Sequence, residues 1–146
     1  MERIPIVRRK SLINAGIKNG LLIDLSQKNQ YFKNRPGDKA FFLPPDVFLA
    51  FIAAELGTLL PWRYVDLVLN DVEENLKNLY RLVKQNPDQF LVVEHSADGG
   101  LVVYPTLIDT LKVWNWDDHS VLLMVHLGRI YRKVQDLFNN EGLQTG

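Results

Sequence analysis

The sequence predicts an α+β fold, mainly helical, with about four helices and one β-hairpin, and three observations predict it. The first lies within 60–105, where Val65, Val68, Val72, Leu76, Leu79 and Val83 recur every three or four residues and so share one face of helical sequence. The second begins at Pro87, which stops that helix. Two short runs rich in Val, Leu and aromatics, 90–94 and 101–104, flank the turn-forming Ser96-Ala97-Asp98-Gly99-Gly100, so a hairpin is expected over 90–104. The third is 119–139, where Leu123, Leu127, Ile130, Val134 and Leu137 recur at spacings of four and three, and Met124, Tyr131 and Phe138 widen the stripe.

Composition bounds the rest. A chain of 146 residues fits one domain, 1–146, large enough to bury about two thirds of the surface its unfolded form exposes. With no cysteine there is no disulfide framework, thiolate zinc site or cysteine nucleophile. The start, MERIPIVRRKSLINAG, lacks the apolar core of a signal peptide, and no apolar run reaches the length of a spanning helix; a soluble, cytoplasmic protein is expected. The net charge of zero conceals an asymmetry. Residues 1–39 hold nine basic groups against three acids, and 40–146 hold eight against fourteen. A basic N-terminal segment on an acidic body is either an arm for nucleic acid or a partner for that body within one fold.

In chain order, Ile4 to Arg8 reads as a short strand, confined by Pro5 to an edge or a strand start. Ser11 caps a short helix through Lys18 that Asn19-Gly20 ends, unless Asn19-Gly20 turns a hairpin into Leu21 to Leu25. Residues 26–39 are polar, contain the turn sequence Arg35-Pro36-Gly37-Asp38, and read as a surface loop. Ala40 to Leu43 reads as a brief buried strand. Pro45 and Asp46 then suit the first turn of a helix whose body, Val47 to Leu56, is apolar nearly all round and therefore central, with Gly57 ending it.

Residues 62–86 admit two readings. Either they form one long helix, or a short helix to Leu69 leads through a turn at Asn70-Asp71 into a second helix from Val72, with Asp71 and Glu74 as a capping box. Helix, short helix, turn, helix, hairpin over 46–105 resembles the order of a winged helix-turn-helix. That resemblance implies DNA binding through Asn75, Lys77, Asn78, Arg81 and Lys84 on the second helix, supported by Arg8, Arg9 and Lys10. Against it, Glu73 and Glu74 occupy the turn that would enter the groove, and the hairpin tip carries Asp98 without a cation.

Thr106 to Val113 is an amphipathic, helical piece. Trp114 and Trp116 pin a loop to the core, and Asp117 or Asp118 caps the last helix, 119–139. That helix either packs on its own domain or offers Leu123, Leu127, Ile130, Tyr131, Val134, Leu137 and Phe138 as a homodimer interface. It ends at Asn139-Asn140-Glu141-Gly142, and Leu143 to Gly146 fray.

Catalytic motifs are absent from the sequence. His119 and His126 stand seven apart, too far for adjacent-turn metal ligation, and Asp117-Asp118-His119 are consecutive and point apart. Ser96, His95 and Asp98 are explained by turn chemistry, and Gly99-Gly100 opens no helix. No catalytic, cofactor or metal residues are assigned. The leading expectation is a non-catalytic regulatory or adaptor module that contacts protein, with self-association through the last helix as an option. A DNA-binding regulator comes second. A small enzyme or ligand-binding protein comes third, and would need His95, His126 or Tyr104 beside distant carboxylates.

Overall fold

The computed structural model describes residues 5–35 and 41–142. Among these there are eight α-helices and two small antiparallel sheets. The fold is therefore mixed α and β, but the expected count of about four helices is corrected. α1 (Arg9–Asn14) and α7 (Ile108–Lys112) overlap the short helices expected over 11–18 and 106–113, while α2 (Asn19–Lys28) and α3 (Gln30–Lys33) fall where a turn and a loop were expected.

At the N-terminus, β1 (Val7–Arg8) pairs with β2 (Phe41–Phe42), so the two expected strands exist and complete one another. Neither reading of Asn19-Gly20 survives. The chain reverses earlier, at Gly16, whose φ of 102° suits the left-handed region that glycine enters without a Cβ penalty, and Asn19 opens α2 (Asn19–Lys28). The expected surface loop at 26–39 is corrected as well. α2 runs to Lys28, and fully buried Asn29 caps α3 by accepting the N–H of Phe32 at 3.2 Å. The turn expected at Arg35-Pro36-Gly37-Asp38 falls largely outside the described residues.

The central helix is α4 (Pro44–Gly57). Two prolines supply preset φ and no orphan donor at its start, and Asp46 accepts the N–H of Leu43 at 2.8 Å. Its residues Val47 to Ala53 are all buried, because α2, α5, α6 and α8 surround it. Next come α5 (Trp62–Glu73) and α6 (Leu76–Gln85), and the predicted stripe from Val65 to Val83 is buried throughout. The stretch is two helices, with the break at Glu74 and Asn75. The helix continues through Asn70-Asp71 because Val68, Leu69 and Val72 must all reach the core. Asn75, at φ −128° and ψ 30°, then leaves helical geometry.

The hairpin is β3 (Gln89–His95) and β4 (Leu101–Leu107), turning through Gly99 at φ 87°. The predicted helix over 119–139 is corrected in its first third. There β5 (Val121–His126) joins the sheet beside β3, giving the order β4-β3-β5, and α8 spans Leu127–Asn140. In 121–126 apolar residues alternate in burial with period two. The step of four from Leu123 to Leu127 mimics a helical repeat across a strand-to-helix junction. Leu127, Ile130, Tyr131, Val134, Leu137 and Phe138 are all buried in the same core as α4, and Leu123 packs against it from β5. These positions are interior, not an open dimer interface. Tail residues 143–146 lie outside the described set.

Candidate functional site

The three-stranded sheet has an inner and an outer face, and the alternation of side chains decides what each carries. Leu91 and Val93 of β3, with Val103 of β4 and Leu123 and Val125 of β5, point into the main core. Phe90, Val92 and Glu94 therefore point outward, alongside Val102, Tyr104 and Thr106 of β4 and Leu122, Met124 and His126 of β5. Val92 is fully buried nonetheless, and with Leu111 it is one of two buried apolar residues outside the main core. The cover comes from the chain leaving β4. α7 packs against β4, and the 3-10 turn Trp116–Asp118 comes after it.

A polar fastener holds that cover in place. The Glu94 carboxylate accepts the Tyr104 hydroxyl, lies 3.2 Å from His119 Nδ1 and accepts the Ser120 N–H at 3.0 Å. Tyr104, then His119 and Ser120, hold the Glu94 carboxyl below the usual carboxylate range. Burial, and then the carboxylate itself, push the Tyr104 phenol up to about 12. Trp114 stacks on His119 with ring centres 3.8 Å apart and planes 5° apart, and packs edge-on to Trp116 at 5.2 Å. Of the residues the enzyme alternative named, His95, His126 and Tyr104, Tyr104 thus does meet a carboxylate distant in sequence, and His119 joins it. Every partner of Glu94 is a donor from the same face, so the cluster spends its hydrogen bonds joining β3, β4 and the segment before β5. The expectation that the tryptophans pin a loop to the main core is corrected, since they lie outside it; so is the expectation that Asp117 or Asp118 caps the last helix, because α8 starts at Leu127 with His126 as N-cap and no side-chain cap, and Asp117 and Asp118 lie in a 3-10 turn capped by Asn115.

Beside the fastener the face is open. Val102 and Leu122 are each 44 % exposed, Met124 40 % and Trp116 47 %. Asp98 of the hairpin tip, Asp109 of α7 and Asp117 and Asp118 of the tryptophan turn are exposed, and Lys112 lies 3.7 Å from Asp109. An apolar centre with an acidic rim complements a surface with an apolar centre and a basic rim. Reading the sequence for helices concealed these residues, because Leu122 and Met124 were assigned to a helix; the period-two alternation of 121–126 was the available signal.

The residues proposed for DNA contact are dispersed. Lys77, Asn78, Arg81 and Lys84 are exposed on α6, Arg81 donating to Asn78 at 2.9 Å. Asn75 lies in the break and, with Asn78, lines a shallow groove against β4 that also holds Asp71. Arg9 is committed to Asn19, bonding its side chain at 3.1 Å, and Arg8 sits over Phe41 at 5.2 Å, while Lys10 is exposed. His126 stacks on Phe90 at 4.7 Å, and His95 is exposed at the hairpin end. Among the described residues no group of three or more His, Asp and Glu converges as a metal site, and no helix is long and apolar enough to cross a membrane.

A second polar cluster sits on the opposite side of α4. Asp46 accepts from Tyr31 and lies 3.3 Å from an Arg35 guanidinium nitrogen, and Arg35 also donates to the Phe41 carbonyl at 2.7 Å. Asn29 donates to Asp66 at 3.0 Å and to Glu73 at 3.4 Å. Burial raises the Glu73 carboxyl above its usual range, partly opposed by the Asn29 amide. These contacts tie α3 and β2 to α4 and α5, where the chain has no long helix to do so. Compared with known proteins, the chain matches no family model, no curated protein and no solved structure.

Proposed function

We propose that the protein is a non-catalytic module of regulatory or adaptor type, and that it engages a protein partner through the outer face of its three-stranded sheet. One observation carries this reading: apolar side chains from β4, β5 and the tryptophan turn stand exposed along one face of the sheet, whose strands are fastened by the hydrogen bonds of Glu94. A rigid apolar patch with a charged rim is how a contact surface differs from scattered exposed leucines. The partner's matching surface is apolar at its centre and basic around it.

The test is site-specific photocrosslinking in the native host with benzoylphenylalanine at position 102, at 116 and, as a control on the far side, at 77. The reading expects one protein captured from 102 and 116 and not from 77. Capture at 77 alone, or equal capture at all three, overturns it.

A second reading has its own observation: Lys77, Arg81 and Lys84 lie exposed on one helix that precedes a hairpin. It makes the protein a winged-helix-like DNA-binding regulator. Fluorescence anisotropy with duplex DNA at low salt checks it; binding that weakens steeply with salt and is lost in Arg81→Ala/Lys84→Ala supports it, and no binding removes it.

A further inference from the structure

A concavity with a volume of about 600 Å³ lies away from both the outer sheet face and α6. Its walls come from the α1–α2 connection, the second half of α4, the start of α5 and one residue of α8. Ile17, Leu21, Phe51, Leu60, Trp62 and Val65 give it an apolar lining. Pockets that enclose small molecules have this size and this predominance of apolar lining. Gly16, Gly20 and Gly57 are in the wall, and a Cβ built on any of them meets nothing within 4 Å. A side chain could be added at each of these exposed glycines without meeting another atom.

Four charged residues line it: Lys18, Asp24, Glu55 and Lys133. The two acids are already neutralised. Asp24 lies 3.3 Å from Lys28, and Glu55 takes both Arg129 and Lys133, the latter at 3.7 Å. Lys18 has no acidic partner among the described residues. It is also the N-cap residue of α2 and provides no side-chain acceptor there. The first intrahelical bond of α2 runs from the Leu22 N–H to the Lys18 carbonyl, so the N–H groups of Asn19, Gly20 and Leu21 precede it without an acceptor in the chain's described residues. An uncompensated ammonium and the positive end of a ten-residue helix thus meet at one side of an apolar groove.

We infer that this groove binds an amphipathic monoanion: an apolar body against Phe51, Leu60 and Trp62, with a carboxylate at Lys18 and the first N–H groups of α2. The inference is independent of the outer sheet face. It makes the contact module one that a small organic acid can address.

The test uses octanoate below its micellar concentration, with octanol and octylamine as uncharged and cationic controls of equal length. Binding is read as backbone amide shifts by NMR together with the dissociation constant. Octanoate is expected to move the Gly20, Leu21 and Gly57 amides and to bind at least about tenfold more tightly than octanol, the factor that one charge-assisted hydrogen bond supplies. Gly20→Leu fills the open space next to a helix start that tolerates a side chain, so the variant folds and loses octanoate. Lys18→Glu leaves the apolar walls intact and weakens octanoate by a similar factor while leaving octanol unchanged. The inference is overturned if octanoate moves no groove amide, if octylamine binds as well as octanoate, or if folded Gly20→Leu binds octanoate like the parent.

Discussion

Gly128 is the second residue of α8, and the chain passes so close there that no other residue fits. A Cβ built on it lies 1.8 Å from the carbonyl oxygen of Pro87 and 2.8 Å from its carbonyl carbon. An ordinary carbon–oxygen contact is about 3.3 Å, so Gly128→Ala must separate α8 from the α6–β3 connection by more than an ångström. The obstructing atoms are backbone held between a helix end and a sheet strand, and no rotamer change relieves them. Overpacking of this kind costs about 1–3 kcal/mol and more where backbone must move, whereas alanine returns at most about 1 kcal/mol of helix propensity. A net loss of about 2–3 kcal/mol corresponds to a fall in Tm of roughly 6–12 °C for a chain of this size. Thermal unfolding by circular dichroism, with urea titration for the free energy, measures it. Gly57→Ala is the control: it sits in the last turn of α4 with nothing within 4 Å of the added carbon, and it should leave Tm unchanged or raise it. If Gly128→Ala unfolds at the same temperature as the parent, the close approach of α8 to Pro87 is wrong.

Asp46→Ala removes the acceptor shared by Leu43, Tyr31 and Arg35 at a buried site, and should cost about 3–5 kcal/mol in urea unfolding. Folding favours ionised Glu94, because Tyr104 and its neighbours hold its carboxyl low; the stabilisation is full above the usual carboxylate range and is lost as pH falls through it. Glu94→Gln should therefore lower Tm at neutral pH by an amount matching about 1 kcal/mol, with the gap to the parent closing towards acid pH. Glu73 behaves oppositely. Burial raises its carboxyl, so its ionised form opposes folding above the usual range, and Glu73→Gln should raise Tm at neutral pH and lose that advantage in acid. Leu122→Lys, on the exposed part of β5, should change stability by less than about 0.5 kcal/mol while abolishing the crosslink from position 102. Retained crosslinking would place the contact elsewhere.

Helices whose stripes repeat over several turns were legible in the sequence. Val65 to Val83 and Leu127 to Phe138 are buried as their spacing requires, since only one face of each helix can meet α4. The hairpin was legible because Gly99 and its polar neighbours do locally what a tight turn demands. The parts that misread are those where tertiary contact overrides local preference. Asp71 has the chemistry of a cap, yet Val72 must be buried, so the helix runs on by another turn. Asn29 looks like loop polarity, but it is buried because Asp66 and Glu73, far along the chain, take its amide hydrogens. For the candidate site the fastener was the least legible part. Glu94, Tyr104 and His119 come from three separate segments, and only the pairing of β3 with both neighbours brings them together.

Geometry explains why the outer face stays open. β4 has seven residues, a length of roughly 23 Å, and three strands set side by side add a width of roughly 10 Å. α7, with five residues, is roughly 7.5 Å long, so it can roof only about a third of that surface. It packs on β4, Val92 and Leu111 are buried, and Val102 on one edge strand and Leu122 and Met124 on the other stay exposed. On the inner face α8 packs on β3, α4 on β5 and α5 on β4. Replacing the apolar remainder with polar residues would cost the fold little, because none of it belongs to the main core. The strands nevertheless carry valine, leucine and methionine there. A sheet whose strands are cross-linked by Glu94 and that stays apolar and exposed at both edges is what the proposed contact with another protein needs.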